Sequence, residues 1–259
     1  MSGDRYFFGY FDRKIIQENK FIQKCGLSSG ALKLIAAISM VLDHVACAMI
    51  KDEFLYSLFR YIGRLSFPIF CYVLVESFFY TSSKGKFLSR LILFAVISEI
   101  PYDLAIHKCM FYWDDQNVFW QLAAGVIVMW VSSMIKDECE SLTSINYLKK
   151  YLGTQVMMFI AAGMGMAAMY YFKVCYSYGG ILLLLLFYYL REHLVWQLIA
   201  NIVVNIGLFG GNQVWAAFAV IPMALYNGKK GIINLKWGYY LFYPVHLLII
   251  YIISEIFCR

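Results

Sequence analysis

The chain has 259 residues, 62% of them hydrophobic and 15% charged, with a formal net charge of +6. A soluble domain carries about a quarter charged residues and less than half apolar ones, so the composition excludes an ordinary soluble protein and indicates a polytopic α-helical membrane protein. The modest charge is spread over short loops and gives no case for nucleic-acid binding; strand alternation of the kind a membrane barrel needs is absent.

The N-terminal stretch "MSGDRYFFGYFDRKIIQENKFIQK" mixes aromatic clusters with Arg5, Arg13, Lys14, Lys20 and Lys24 and holds no signal-peptide core. Residues 1–30 are therefore expected to form an amphipathic segment on the membrane surface, ahead of a transmembrane domain over 31–259. Nine apolar segments follow, at about 31–50, 62–81, 87–106, 117–135, 154–172, 176–190, 194–210, 213–227 and 238–257. They are measured against the roughly 20 residues that a bilayer core requires, and 176–190 and 213–227 are short. The expected fold is all-α, an integral membrane bundle of about nine transmembrane helices.

Basic residues orient the bundle. With the N-terminus cytoplasmic, that side collects the N-terminal residues with Lys84, Lys86, Arg90, Lys136, Lys149, Lys150, Arg191, Lys229, Lys230 and Lys236. The other side receives Lys51, Lys108, Lys173 and Arg259, with Arg60 and Arg64 near its mouth. This asymmetry predicts a cytoplasmic N-terminus and a multi-pass protein of the cytoplasmic (inner) membrane. The seven cysteines, at 25, 47, 71, 109, 139, 175 and 258, form no CxxC pair, no zinc signature and no disulfide framework. No metal is expected. No internal repeat is visible, which argues against an inverted-repeat transporter.

Ionisable residues interrupt the apolar segments. "SMVLDHVACAMI" places Asp43 beside His44; "FRYIGRLSFPIF" places Arg60 and Arg64 four apart on one helical face; Glu76 follows in "YVLVESFFY". "LFAVISEIPYDLA" carries Glu99 and Asp103 around Pro101, and "FYPVHLLII" carries His246 two residues after Pro244. Each charge at mid-bilayer costs about 2.5–3.5 kcal/mol on the insertion scale. Two arginines among four carboxylates are therefore expected to relieve one another in a wet, inward-facing cavity. The plain alternatives are arginines that snorkel to an interface, a Glu76 that only reaches the helix end, and histidines that merely hydrogen-bond in the core. Adjacent helical residues point about 100° apart, so Asp43 is expected to bind an arginine while a carboxylate from elsewhere orients His44.

The segments "LKLIAAISMVLDHVA", "RYIGRLSFPIFCYVLVESF", "LSRLILFAVISEIPYDLA", "ALYNGKKG" and "YLFYPVHLLIIY" closely resemble the TraX-type family, which includes the conjugative pilin acetylation proteins. The resemblance covers about 32–105 and 222–251 well and the middle loosely. It implies an integral membrane acetyltransferase drawing on acetyl-coenzyme A, similar to wider groups of membrane acyltransferases. The family's Asp-His pair falls on Asp43 and His44, and its Arg-x-x-Gly-Arg element on Arg60, Gly63 and Arg64. Its Glu-x-Pro-aromatic-Asp element falls on Glu99, Pro101, Tyr102 and Asp103, and its Pro-x-His element on Pro244 and His246. Gln121 stands where a threonine is expected after Asn117, and Cys175 precedes Tyr176 where an acid is usual.

These readings assign catalysis to His44, with Asp43, Glu99 and Asp103 as its support. His44 would act as general base or as a transient acetyl carrier. Arg60, Arg64, Glu76, Tyr102, Asn117, Tyr243 and His246 would line the substrate cavity. Lys84, Lys86, Arg90, Lys229 and Lys230 would receive the coenzyme A phosphates, although positive-inside bias alone accounts for the same residues. The expected partners are the lipid bilayer, acetyl-coenzyme A as donor, and an envelope acceptor such as a pilin-like protein or a glycan. The rival functions are a proton-coupled transporter and a non-catalytic assembly factor.

Overall fold

A computed structural model describes Arg13 and residues 19–141, 147–231 and 236–257. Most of the expected interfacial segment, residues 1–30, lies outside the described residues. Among the described residues the chain is helical, and its only extended pairings are two isolated bridges, Leu27 with Tyr226 and Gln116 with Val174.

The helices are α1 (Lys20–Cys25), α2 (Ser29–Met49), α3 (Glu53–Gly63), α4 (Ser66–Tyr80), α5 (Lys84–Tyr102), α6 (Val118–Ser141), α7 (Tyr147–Tyr171), α8 (Ser177–Tyr189), α9 (Leu194–Val203), α10 (Val220–Ala224) and α11 (Lys236–Phe257). A π-helical turn, Asp103–His107, continues α5, and another, Val204–Phe209, continues α9. A 3-10 helix, Gly211–Ala219, leads into α10. All nine apolar segments fall on helical structure. Five helices among the described residues are long and apolar enough to cross a bilayer: Ser29–Met49, the run Glu53–Tyr80, Val118–Cys139, Lys150–Tyr171 and Trp237–Phe257. The protein is thus an all-α membrane protein. Ser177–Tyr189 and Leu194–Phe209 are shorter apolar helices.

Local chemistry explains the boundaries. Ser28 caps α2 by accepting from the Ala31 amide at 3.2 Å, and Asp52 caps α3 by accepting from Leu55 at 2.8 Å. That cap extends the second apolar segment back to Glu53, whereas the hydropathy alone starts it near 62. Pro101 has no amide to donate, and the ladder loosens into the π-turn two residues later. Lys108, at φ 58°, then ends the helix.

α4 and α8 form the centre. Phe67, Ile69, Tyr72 and Val75 of α4 and Ile181, Leu183, Leu184 and Phe187 of α8 are buried, and α8 is apolar all round because helices surround it. α2 packs on α3, α4 and α11; α5 packs on α6 and α11; α7 lies outside, against α6 and α8. The outer face of α7 exposes Val156, Phe159, Ile160 and Met164, an apolar surface suited to lipid tails.

The two ends of the bundle differ. At one end, the Ser29 and Gly30 amides donate to the carbonyls of Lys229 and Lys230, and the Arg13 amide donates to the Glu192 carbonyl. At the other, Lys108 Nζ donates to Ser254 Oγ at 2.6 Å and Lys173 pairs with Asp114.

Candidate functional site

The site begins with α2. Asp43 Oδ2 accepts from Arg60 NH1 at 3.0 Å and from Arg64 NH2, so one carboxylate holds two guanidinium groups. The arginines sit one helical turn apart, where α3 ends. Gly63 between them makes this approach possible: a Cβ added there would lie 2.5 Å from Asp43 Oδ1. Arg60 NH1 also donates to Cys47 Sγ at 2.8 Å, and Arg64 NH1 donates to Gln213 Oε1 at 3.3 Å. Arg60 Nε, Arg64 Nε and Asp43 Oδ1 are buried and have no hydrogen-bond partner among the described residues.

His44 faces the last helix. Its Nδ1 lies 2.8 Å from His246 Nε2, and the two rings are nearly coplanar, with centroids 5.1 Å apart and planes at 14°. His246 Nδ1 lies 2.8 Å from the Phe242 carbonyl oxygen. A carbonyl only accepts, so His246 Nδ1 carries the proton and neutral His246 presents an unprotonated Nε2. That nitrogen accepts from His44 Nδ1–H. His44 Nε2, which makes no hydrogen bond among the described residues, is then left with a lone pair. The chain carbonyl–imidazole–imidazole assigns the tautomer of a base, with both arginines within electrostatic reach of the ring. Tyr243 meets both imidazoles edge-on, at 6.1 and 5.5 Å between centroids.

The sequence expectation that Asp43 binds an arginine rather than its neighbour agrees with this geometry. The expectation that a carboxylate orients His44 does not: a second imidazole takes that place. Nor do Glu99 and Asp103 relieve the arginines. Glu99 Oε2 accepts from Asn117 Nδ2 and, at 2.9 Å, from Trp120 Nε1, while Asp103 Oδ2 accepts from the Tyr112 amide at 2.8 Å. Asn117 is fully committed inside the protein, donating to Ala95 O at 2.8 Å and capping α6 by accepting from the Phe119 amide at 3.0 Å. Tyr102 donates to Asp115 Oδ2 at 2.7 Å, and His107 lies 3.2 Å from the same oxygen. This acidic network adjoins the His44 site through Cys175, which is within electrostatic reach of Asp115 on one side and of Arg64 and Asp43 on the other. Glu99 Oε1 and Asp103 Oδ1 are buried and unpartnered among the described residues, as are both polar atoms of Gln121.

Glu76 belongs elsewhere. It pairs with Arg13 and with Arg191, whose Nε lies 3.0 Å away, and Arg13 also donates to Tyr72 Oη at 2.6 Å and to Gln197 Oε1 at 2.9 Å. This knot is about 18 Å from Arg64 along the helix, so Glu76 is not part of the His44 site. The lysine candidates split as well. Lys84 donates to Ser133 Oγ at 2.8 Å; Arg90 lies over Phe87 and Tyr240; Lys229 and Lys230 sit at the start of α2 through their carbonyls; Lys86 is exposed. All stand at the end of the bundle away from His44.

Sequence reasoning missed the polar residues that complete these sites. Arg13 and Arg191 lie in polar segments, where a charge draws no attention. Asn201, Asn205 and Gln213 form a buried amide chain that reaches Arg64: Asn205 Nδ2 donates to Asn201 Oδ1 at 3.0 Å, and Gln213 Nε2 donates to Asn205 Oδ1 at 3.1 Å. Two asparagines four residues apart in an apolar run were the available signal.

The sequence model of the TraX family, described as TraX protein, matches residues 28–254, which include every residue of the His44 site. The probable fimbrial assembly protein FimC, serogroup H1, of Dichelobacter nodosus is 28% identical over 245 residues, covering 85% of this chain and 93% of that protein. No solved structure matches. On the extent of the family match, the chain belongs to the TraX family.

Proposed function

We propose that this protein is an integral membrane acetyltransferase that moves an acetyl group from acetyl-coenzyme A to an envelope-associated acceptor, a protein N-terminus or a glycan. The observation that carries the reading is the hydrogen-bonded pair of imidazoles beside a carboxylate bound by two arginines. Similarity to a probable fimbrial assembly protein of Dichelobacter nodosus supports a pilin-like acceptor.

In the mechanism we infer, His44 Nε2 removes a proton from the acceptor amine or hydroxyl as it attacks the acetyl carbonyl. His246 supplies the orienting hydrogen bond, which keeps Nδ1 of His44 as donor and so holds Nε2 toward the acceptor. The two arginines carry one more positive charge than Asp43 neutralises, and their Nε–H groups are buried and unpartnered among the described residues. They are suited to stabilise the oxyanion that develops on the carbonyl oxygen. The attack forms the new C–N or C–O bond; collapse of the tetrahedral intermediate restores the carbonyl and breaks the C–S bond, and His44 returns its proton to the leaving thiolate. Asp43 holds the arginines; Glu99, Asp103 and Tyr102 brace the neighbouring wall.

In the topology we propose, the chain crosses the cytoplasmic membrane nine times with its N-terminus inside, and residues 1–30 form an interfacial segment before a catalytic domain over 31–259. Lys84, Lys86, Arg90, Lys229 and Lys230 then stand on the side of the coenzyme A pool. The test is mass spectrometry of envelope proteins and glycans from cells with the wild-type chain, with His44→Ala, and with no chain. We expect one acetyl group on a defined acceptor only with the wild-type chain, while His44→Ala is inserted in equal amount. Equal acetylation by the variant would end the proposal.

A further inference from the structure

Three buried amides lead to Arg64 from outside the His44 site. Asn201 lies in α9, Asn205 in the π-helical turn that continues it, and Gln213 in the 3-10 helix Gly211–Ala219. Gly210, at φ 60° and ψ −159°, reverses the chain between the two arms. The arms match in spacing, because four residues of α-helix and three residues of 3-10 helix each rise about 6 Å. Asn201 and Asn205 therefore meet Ala216 and Gln213 in antiparallel register, and Gln213, Ala216 and Ala219 form the buried stripe of the 3-10 helix.

The chain of bonds has a direction. Asn201 Nδ2 donates to the Ala216 carbonyl at 3.0 Å, and a carbonyl only accepts, so this amide cannot be turned round. Its Oδ1 is left to accept from Asn205 Nδ2 at 3.0 Å, a nitrogen that also donates to the Asn201 carbonyl at 2.8 Å. Asn205 Oδ1 accepts from Gln213 Nε2 at 3.1 Å, which leaves Gln213 Oε1 to accept from Arg64 NH1 at 3.3 Å. Arg64 is thereby held on both arms of its fork, NH1 by Gln213 and NH2 by Asp43, while Nε is buried and unpartnered among the described residues. A neutral amide suits this place better than a carboxylate: it fixes the guanidinium without cancelling the positive charge that Asp43 leaves over.

We infer that Asn201, Asn205 and Gln213 are positioning residues, acting in series to hold Arg64 so that its Nε–H serves the reacting carbonyl. The catalytic half of this inference rests on the acetyl-transfer reading of the His44 site; the orientation of Arg64 does not. If the amides only tied the two arms together, their loss would act on stability and leave Arg64 as it is.

Gln213→Met removes the last link, and Asn205→Leu removes a middle link that makes no hydrogen bond to Arg64. Both variants and their combination are made in the full-length chain, labelled with [13C,15N]arginine and placed in nanodiscs. Solid-state NMR reads the Arg64 guanidinium signals, identified by their loss in Arg64→Lys, and acetyl transfer is measured on the same samples. We expect each single variant to shift the Arg64 signals and to lower kcat about tenfold or more, with donor KM within about twofold of wild type. The double variant should be no slower than the slower single one, because links in series fail together. Gln213→Met, at the less buried end, gives the reading if Asn205→Leu does not fold. Unmoved Arg64 signals overturn the inference whatever the activity. Shifted signals with an unchanged kcat, or losses that multiply in the double variant, overturn the positioning role in catalysis. A wild-type chain that transfers no acetyl group, with variants that still shift the signals, ends the acetyltransferase reading and upholds the orientation of Arg64 by the amides.

Discussion

His246 fixes which nitrogen of His44 carries a proton, because its own Nδ1 is committed to the Phe242 carbonyl. Replacing His246 with Ala removes the acceptor of His44 Nδ1–H and frees the ring to turn. We expect kcat to fall by about 100-fold or more with little change in donor KM, read by acetyl transfer at matched protein levels. A wild-type rate would assign His44 another orienting group. Glu76 predicts the opposite pattern. Glu76→Ala leaves Arg13 buried without its carboxylate and Arg191 with Glu192 alone, a loss of about 3–5 kcal/mol. The melting temperature should drop clearly while folded protein keeps its rate; an unchanged melting temperature would rule out the structural role. At this scale the sequence reveals which residues matter, since a charge or an imidazole in an apolar helix is costly. It does not reveal their pairing, which depends on helix packing: α3 lies on α2, so both arginines go to Asp43, and Glu99 goes to Asn117 and Trp120.

Among the elements, the junction of α3 with α2 decides the site. Gly63 lets the end of α3 come close enough for Arg60 and Arg64 to reach one carboxylate. Gly63→Ala would force the helices apart, at a cost of about 1–3 kcal/mol. Acetyl transfer should fall together with thermal stability in detergent, and unaltered values in both assays would show that the junction tolerates a side chain. The long apolar runs announce their helices well. α3 is hidden because Glu53–Gly63 is amphipathic and escapes a search for uniform hydropathy. The 3-10 helix Gly211–Ala219 reads only as a short apolar segment, because nothing in its composition separates i→i+3 from i→i+4 bonding. Its glutamine, Gln213, nevertheless accepts a hydrogen bond from Arg64.

Across the whole molecule, charge and chemistry are separated along the bundle. Lys84, Lys136, Lys150, Arg191, Lys229 and Lys230 gather at one end, with the Glu76 knot and a cavity between α6 and α7. Asp43, His44, Arg60, Arg64 and His246 lie deep along the helices, toward the opposite end. A single cavity uniting all the buried charges, as the sequence suggested, is therefore replaced by a candidate catalytic cluster, an adjoining acidic network and a remote ion-pair knot. The orientation we propose rests on the basic end through the positive-inside rule, which is written in the loops and needs no tertiary information. Catalysis by the His44 cluster is best tested by turnover of purified protein in liposomes supplied with labelled acetyl-coenzyme A and an envelope extract. We expect label to move to the extract with the wild-type chain and to stay on coenzyme A with His44→Ala; label transfer at equal rates by both proteins would refute a catalytic role for this imidazole.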